Sequence, residues 1–304
     1  MVEREFRWEM DTTRHEYVVT ELSDPEEIRG LLRSRIEYTA YAMGQLEPDL
    51  FARTQWYRAV GDTGSGLVLH SRGGLGDATF LLGDPGAVGA ILSIYPGRPN
   101  SYTTCQPPHL DVLKRVYRLA NQQPMMRMGV RPGSFRPVSD EQTVRLTGLD
   151  IRKINSLYST DGTSAYYVPE HIDSGVYRGL VMDGRLVAVA GTHVVSRQER
   201  VAVVGNVFTH PAYRGRGFAT AATSAVTEAL FEFCDNVVLT VDPTNRPAVA
   251  AYDKLGYLEV CRLVEASAVR RDPTGLGAGF RRLRARMRGR RYGGAFVRRR
   301  ASQG

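Results

Sequence analysis

Lysine is nearly missing from this chain of 304 residues: Lys114, Lys153 and Lys254 stand against 37 arginines. That scarcity removes most candidates for Schiff-base chemistry, which needs a lysine amine. No Gly-Lys-Ser or Gly-Lys-Thr tripeptide occurs, which excludes a Walker A loop. Cys105, Cys234 and Cys261 are too few, odd in number and widely spaced for a disulfide scaffold. They are expected to behave as small buried hydrophobes. The six histidines are scattered and show no ligand spacing, so no metal is expected. No run approaches 18 apolar residues, so no transmembrane helix is expected. The opening MVEREFRWEM lacks the apolar stretch of a secretory signal, and the cytoplasm is the default compartment.

What is present suits a folded, two-domain protein. Domains of about 150 residues fit the length, and 42% apolar with 24% charged residues is close to a soluble average. The net charge of +8 is uneven. Residues 270–304 carry twelve arginines and one aspartate, a net +11, so the remaining 269 residues carry −3. The basicity belongs to the tail. A tail of this kind is expected to be disordered or partly helical, and it can hold nucleic acid or an anionic membrane nonspecifically.

Along the chain, residues 1–20 read as a loose leader. Ser23-Asp24-Pro25-Glu26 has the capping-box pattern, with serine three before glutamate. Leu31, Leu32, Ile36 and Tyr38 repeat at helical spacing, and a second helix is expected from Leu50 to Tyr57. Strands are expected at Leu67–Leu69 and Thr79–Leu82. Alternating elements follow to Val130. Periodicity breaks at Arg131-Pro132-Gly133, and residues 131–141 read as a linker. The second half, 142–268, predicts a helix over 150–158, then a hairpin turned by Asp183-Gly184. A strand over 201–208, a helix from Gly217, a strand over 237–241, a helix over 247–255 and a strand over 257–264 complete it. This order makes an α/β (α+β) fold with a mixed sheet. Gly275 to Phe280 reads as a flexible linker.

The informative segment runs from Val207 through Thr209 and His210 to Thr220, where a strand feeds a turn rich in glycine and arginine that opens into a helix. Such a turn exposes backbone N–H groups that no helix carbonyl satisfies, and with the helix dipole they bind anions, above all a pyrophosphate. Gly215 and Gly217 let backbone approach phosphate without a Cβ, while Arg214 and Arg216 add charge. A second segment, Asn245-Arg246-Pro247-Ala248 to Tyr252-Asp253-Lys254-Leu255-Gly256-Tyr257, follows the next strand.

Together the two stretches resemble the GNAT superfamily of acyl-CoA N-acyltransferases. The first matches Arg/Gln-x-x-Gly-x-Gly/Ala through Arg214, Gly217 and Ala219. The second matches Asn-x-x-Ala-x-x-x-Tyr-x-Lys-x-Gly-Phe/Tyr through Asn245, Ala248, Tyr252, Lys254, Gly256 and Tyr257. The resemblance covers about residues 142–265. It implies a mostly antiparallel GNAT-like sheet flanked by helices, with acetyl-CoA as cosubstrate and an amine as acceptor. Backbone amides of Arg214, Gly215, Arg216, Gly217, Phe218, Ala219 and Thr220 would hold the pyrophosphate. Val207, Phe208 and Thr209, at the end of the preceding strand, would line the pantetheine, and Asn245 would hydrogen-bond it. Tyr252 would protonate the departing thiolate. Transfer is direct, so no cysteine nucleophile is needed. His193 is the preferred candidate base, with Glu170, His171 and Asp173 as candidate acceptor contacts. The first 140 residues lack both signatures, yet residues 21–130 echo the element order of the second half. They read as a degenerate GNAT-like domain that would shape the acceptor pocket, with Arg98, Tyr102 and the aromatics from Tyr38 to Trp56 as contributors.

Overall fold

A computed structural model describes residues 17–72, 77–138, 142–162 and 167–292, the last eight of these by backbone alone. In the first half, β1 (Tyr17–Leu22) leads into α1 (Pro25–Arg33) and α2 (Ile36–Gly44). Tyr17–Leu22 is thus a paired strand where a loose leader was expected; residues 1–16 lie outside the described residues. The cap of α1 is Asp24, whose carboxylate accepts from the Glu26 N–H at 3.0 Å, and not Ser23. Next come α3 (Pro48–Phe51), β2 (Thr54–Gly61), β3 (Gly64–Ser71), β4 (Ala78–Gly83), α4 (Pro85–Ile94), β5 (Asn100–Cys105), α5 (Leu110–Val116) and β6 (Tyr117–Val130). The helix expected over 50–57 survives only as α3. Thr54, Trp56 and Tyr57 favour a strand, and pairing of β2 with β3 across a two-residue hairpin settles it.

The second half holds β7 (Thr143–Arg145), α6 (Ile151–Tyr158), α7 (Pro169–Asp173), β8 (Arg178–Met182), β9 (Arg185–Ser196), β10 (Val201–Thr209), α8 (Phe218–Phe231), β11 (Asn236–Val241), α9 (Arg246–Lys254) and β12 (Leu258–Arg270). The basic tail opens with a helix, α10 (Leu276–Tyr292). It includes the Gly275–Phe280 stretch that read as a linker. Asp272 starts α10 by accepting from the N–H groups of Gly275 and Gly277, each at 2.9 Å. Arg281 then ties it to the body through the Ser93 carbonyl at 2.7 Å. Residues 293–304 lie outside the described residues.

The twelve strands of the described residues join one sheet, ordered β1-β2-β3-β4-β5-β12-β6-β11-β10-β9-β8-β7. The order is a palindrome of two equivalent halves. In each, the fourth and fifth strands, β4 with β5 and β10 with β11, pair in parallel, and the other pairs are antiparallel. The sixth strands are exchanged. Residues Val264–Val269 of β12 pair with β5 of the first half, while Met126–Val130 of β6 pair with β11 of the second.

The seam is packed core. Tyr38, Met43 and Trp56 from the first half share a buried cluster with Val201, Val203 and Val238 from the second. An ion pair adds to it: Arg29 Nε of α1 donates to Glu199 Oε1, in the turn after β9, at 2.5 Å. On the opposite face of the second half, α8 covers Ala202, Val204, Leu239 and Met128. The second half is therefore held between α8 on one face and α2 on the other, and both faces reach the site.

Candidate active site

The site begins where two strands part. β10 and β11 pair from Val201 opposite Asn236 to Val204 opposite Leu239, and there the pairing stops while both strands continue. On its other side β10 bulges. Gly205 stands opposite Gly191 and Phe208 opposite Val189, so Asn206 and Val207 together face a single residue of β9. Asn206 takes a left-handed backbone, φ +54°, which asparagine tolerates better than most residues. Three tyrosines clamp it. Tyr167 O–H donates to its side-chain oxygen at 2.7 Å, its amide donates to Tyr177 Oη at 2.8 Å, and Tyr158 O–H donates to its carbonyl. The parted strands open a cleft of about 920 Å³.

At one end of the cleft, the loop from His210 to Gly217 enters α8. Gly215 and Gly217 both have left-handed backbone, φ +78° and +82°, and a Cβ at either would meet no atom within 4 Å. The loop surface is open. The first backbone bond of α8 joins Ala221 N–H to the Gly217 carbonyl at 3.0 Å, so the donors before it are free of the helix. No side chain caps this end, whereas Asp24, Asp84 and Asn245 cap α1, α4 and α9. An uncapped, positive helix end above a glycine loop fits a pyrophosphate. Val207, Phe208, Thr209, Arg214, Gly215, Gly217, Phe218, Ala219 and Thr220 all line the cleft. Arg216 does not; its guanidinium lies 5.2 Å from the centre of the Tyr213 ring.

The opposite wall comes from α9. Asn245 lines the cleft while its side chain caps the helix through the Ala248 N–H at 3.3 Å. Tyr252 also lines it and is 7% exposed. Its phenol has no hydrogen-bond partner among the described residues, and burial pushes it up to about 12. It is an O–H donor held protonated.

Residues 150–257 match the family described as Acetyltransferase (GNAT). The matched stretch runs from α6 past α9 and takes in β10, β11, α8 and α9, the elements that build the cleft. No curated protein sequence matches the chain. Solved structures match across both halves of it. A Drosophila protein of a structural genomics programme aligns with a TM-score of 0.59 at 12% identity, over 84% of this chain and 99% of that one. The GCN5-related N-acetyltransferase from Sphaerobacter thermophilus gives 0.53 at 14% over 84% and 96%. A tandem GNAT protein from the clavulanic acid biosynthesis pathway gives 0.50 at 14% over 84% and 98%. At such identities the likeness is one of fold, and that fold spans both halves of the sheet.

On the α2 face of the second half, His193 of β9 lines the cleft. An added Cβ on Gly205 would fall 2.1 Å from its Nε2, so the imidazole lies directly over the point where the strands part. Burial, then the charge of Arg127, hold this imidazole below its ordinary value. The candidate acceptor contacts Glu170, His171 and Asp173 are exposed and do not line the cleft; Asp173 instead accepts from the Gly148 N–H at 2.7 Å. Arg98 pairs with Asp77 at 2.8 Å away from the cleft, and Tyr102 donates to Glu265 at 2.7 Å. Of the aromatics between Tyr38 and Trp56, Tyr41 comes near the site, its ring 6.1 Å from that of His193. The cysteines carry no activation: burial pushes Cys105 up to about 12 and Cys234 to about 11.

The equivalent place in the first half is filled. β4 passes into α4 through Asp84 alone, and the Asp84 carboxylate accepts from the Ala87 N–H at 2.8 Å, where a phosphate would have to bind. Where β4 leaves β5, Tyr38 O–H donates to the Leu81 carbonyl at 2.5 Å and His109 Nε2–H to that of Gly83 at 2.9 Å. Only the second half keeps its slot open among the described residues.

Proposed function

We propose that this protein is an N-acetyltransferase that moves the acetyl group of acetyl-CoA directly to a primary amine. The observation that carries the proposal is the convergence on one cleft of an uncapped glycine-rich helix start, a strand fork with a clamped bulge, and a buried unpaired phenol. The pyrophosphate lies on the backbone of residues 214–220, and the pantetheine runs between β10 and β11 beside Asn245. The thioester carbonyl then sits at the bulge, where backbone N–H groups of Asn206 and Val207 donate to the developing oxyanion.

The acceptor approaches from the α2 face. His193 takes a proton from its ammonium, and the free amine nitrogen attacks the thioester carbon. As the C–S bond breaks, Tyr252 Oη–H gives its proton to the thiolate and regains one from the attacking nitrogen, which sheds it on becoming the amide, while His193 releases its proton to solvent. Both residues suit their tasks: the imidazole is neutral and the phenol protonated at neutral pH. The first half serves as a scaffold that supplies α2 and β6. Acetyl-CoA supply fits the cytoplasm.

The test is release of free thiol from acetyl-CoA across a panel of amines, for the wild type and Tyr252→Phe. Amine-dependent release that falls about 10²-fold in the variant, with CoA binding unchanged, supports the assignment. Failure of the wild type to bind CoA refutes it.

A further inference from the structure

Buried Arg127 and half-buried His193 and Thr240, all on the α2 face, carry inward polar atoms with no hydrogen-bond partner: Arg127 Nε and Nη1, His193 Nδ1, and Thr240 Oγ1. They are neighbours. Thr240 stands directly opposite Arg127 in the β6–β11 register, so the two side chains share a face. That face is the α2 face. Met126 and Met128 flank Arg127 in sequence, Leu239 and Val241 flank Thr240, and all four belong to the core under α8. Tyr41 of α2 bridges the group, its ring centre 5.0 Å from the Arg127 guanidinium and 6.1 Å from the His193 ring. Thr240 and His193 line the cleft, as does Met125, two residues before Arg127 on the same strand and face.

Arg127 is 1% exposed, and no carboxylate of the described residues lies within ion-pair distance of it. Arginine cannot shed its proton to ease that position, and a buried charge without a partner is among the most unfavourable groups a fold can hold. The other buried arginine, Arg29, has Glu26 and Glu199. Arg127 has a cation–π contact and no anionic partner, and it does not itself line the cleft, whose wall beside it is made by Met125 and Thr240. The missing partner is an anion that arrives from outside, and a guanidinium fork matches a planar carboxylate in particular.

We propose that this wall is the acceptor subsite, and that the acceptor is an amine that also carries a carboxylate, as an amino acid does. The proposal rests on the acyl-transfer reading of the same cleft. The carboxylate is received by Arg127 with the Thr240 hydroxyl as a second donor, which leaves the amine beside His193 over the strand fork. Met125, unbranched and flexible, is the side chain that gives way to admit it. Arg127 thereby sets specificity and takes no part in bond making.

The test uses the full chain and needs no turnover. Binding of N-acetyl amino acids and of their neutral carboxamides, over all common side chains, is titrated in the presence of CoA. At least one acid is expected to bind the wild type about 10²-fold or more tightly than its amide, the loss of two hydrogen bonds to a charged group. Arg127→Met should close that gap while the Kd for CoA stays within about twofold, and Thr240→Val should narrow it several-fold. Thiol release with amino acids against amino amides should show the same preference in kcat/KM. Amides that bind as well as acids, no binding by any acid, or a preference that persists in Arg127→Met would each overturn the proposal. So would an Arg127→Met that weakens acids and amides alike, the mark of a merely structural arginine. Absence of CoA binding is a different failure, that of the acyl-transfer reading.

Discussion

The bulge at Asn206 can be taken apart by two substitutions that separate its backbone from its hydrogen bonds. Asn206→Gly keeps the left-handed backbone free of strain and deletes the side-chain bonds to Tyr167 and Tyr177. At about 1 kcal/mol for each neutral hydrogen bond, the expected cost is about 2 kcal/mol. Asn206→Ala loses the same bonds and forces a Cβ into the left-handed region, which adds about 1–2 kcal/mol and brings the total to about 3–4 kcal/mol. Urea unfolding of the full chain should therefore rank wild type above Gly above Ala. The same order should appear in thiol release, because collapse of the bulge moves backbone donors away from the thioester. An alanine variant as stable as the glycine variant would show that the backbone is not held in this conformation. A glycine variant within about 0.5 kcal/mol of wild type would show that the tyrosine clamp contributes nothing.

Three further outcomes are expected. Because burial pushes Tyr252 up to about 12, the pH–rate profile of the wild type should show no basic limb from this phenol below about pH 11; a limb near 10 that vanishes in Tyr252→Phe would place the phenol in water. His70 is buried, with Nε2–H donating to the Tyr95 carbonyl at 3.0 Å and Nδ1 accepting from Thr79, and burial lowers it to about 4. Its folded value lies below its unfolded one, so stability is complete above about pH 6.5 and falls by about 3 kcal/mol as the pH drops to about 4; denaturant midpoints against pH should show a shallower slope for His70→Gln. Arg29→Met should cost about 3–5 kcal/mol, since it strands Glu199, whose side chain is 2% exposed, with Arg33 no nearer than 4.0 Å. Adding Glu199→Met should recover part of that loss, and a double variant no better than the single one would count against the pair.

The glycine loop before α8 and the cleft wall from α9 were legible because they are local. Gly215, Gly217, Asn245 and Tyr252 lie in two short stretches whose turns and caps are written in neighbouring residues. The hairpin at Asp183-Gly184 and the helices after β10 and β11 were legible for the same reason. What escaped depends on pairings far apart in sequence. Tyr158, Tyr167 and Tyr177 meet only at Asn206, and nothing in their spacing announces it. Arg127 is one arginine among 37, in a strand where alternation alone cannot say that no carboxylate stands across from it. Gly205 was silent until the His193 ring was found above it. The first half shows the converse. A single residue between β4 and α4, an aspartate, already leaves no room for a phosphate loop, a signal that could have been taken from Gly83-Asp84-Pro85.

The exchange of β6 and β12 sets a timetable for the chain as it is made. The outer edge of β5, six residues of unpaired N–H and C=O groups, has no partner until Val264 to Val269 emerge at the far end of the chain. At about 5–20 residues per second, that wait is on the order of ten seconds or more. Through it the nascent first half presents an open strand edge, the template on which unrelated chains aggregate. Its own β6 is promised elsewhere, to a partner not yet translated. Neither half can close its sheet on its own residues, so a gene cut between residues 131 and 141 would yield two unfinished pieces. Made together, those pieces would complete one another.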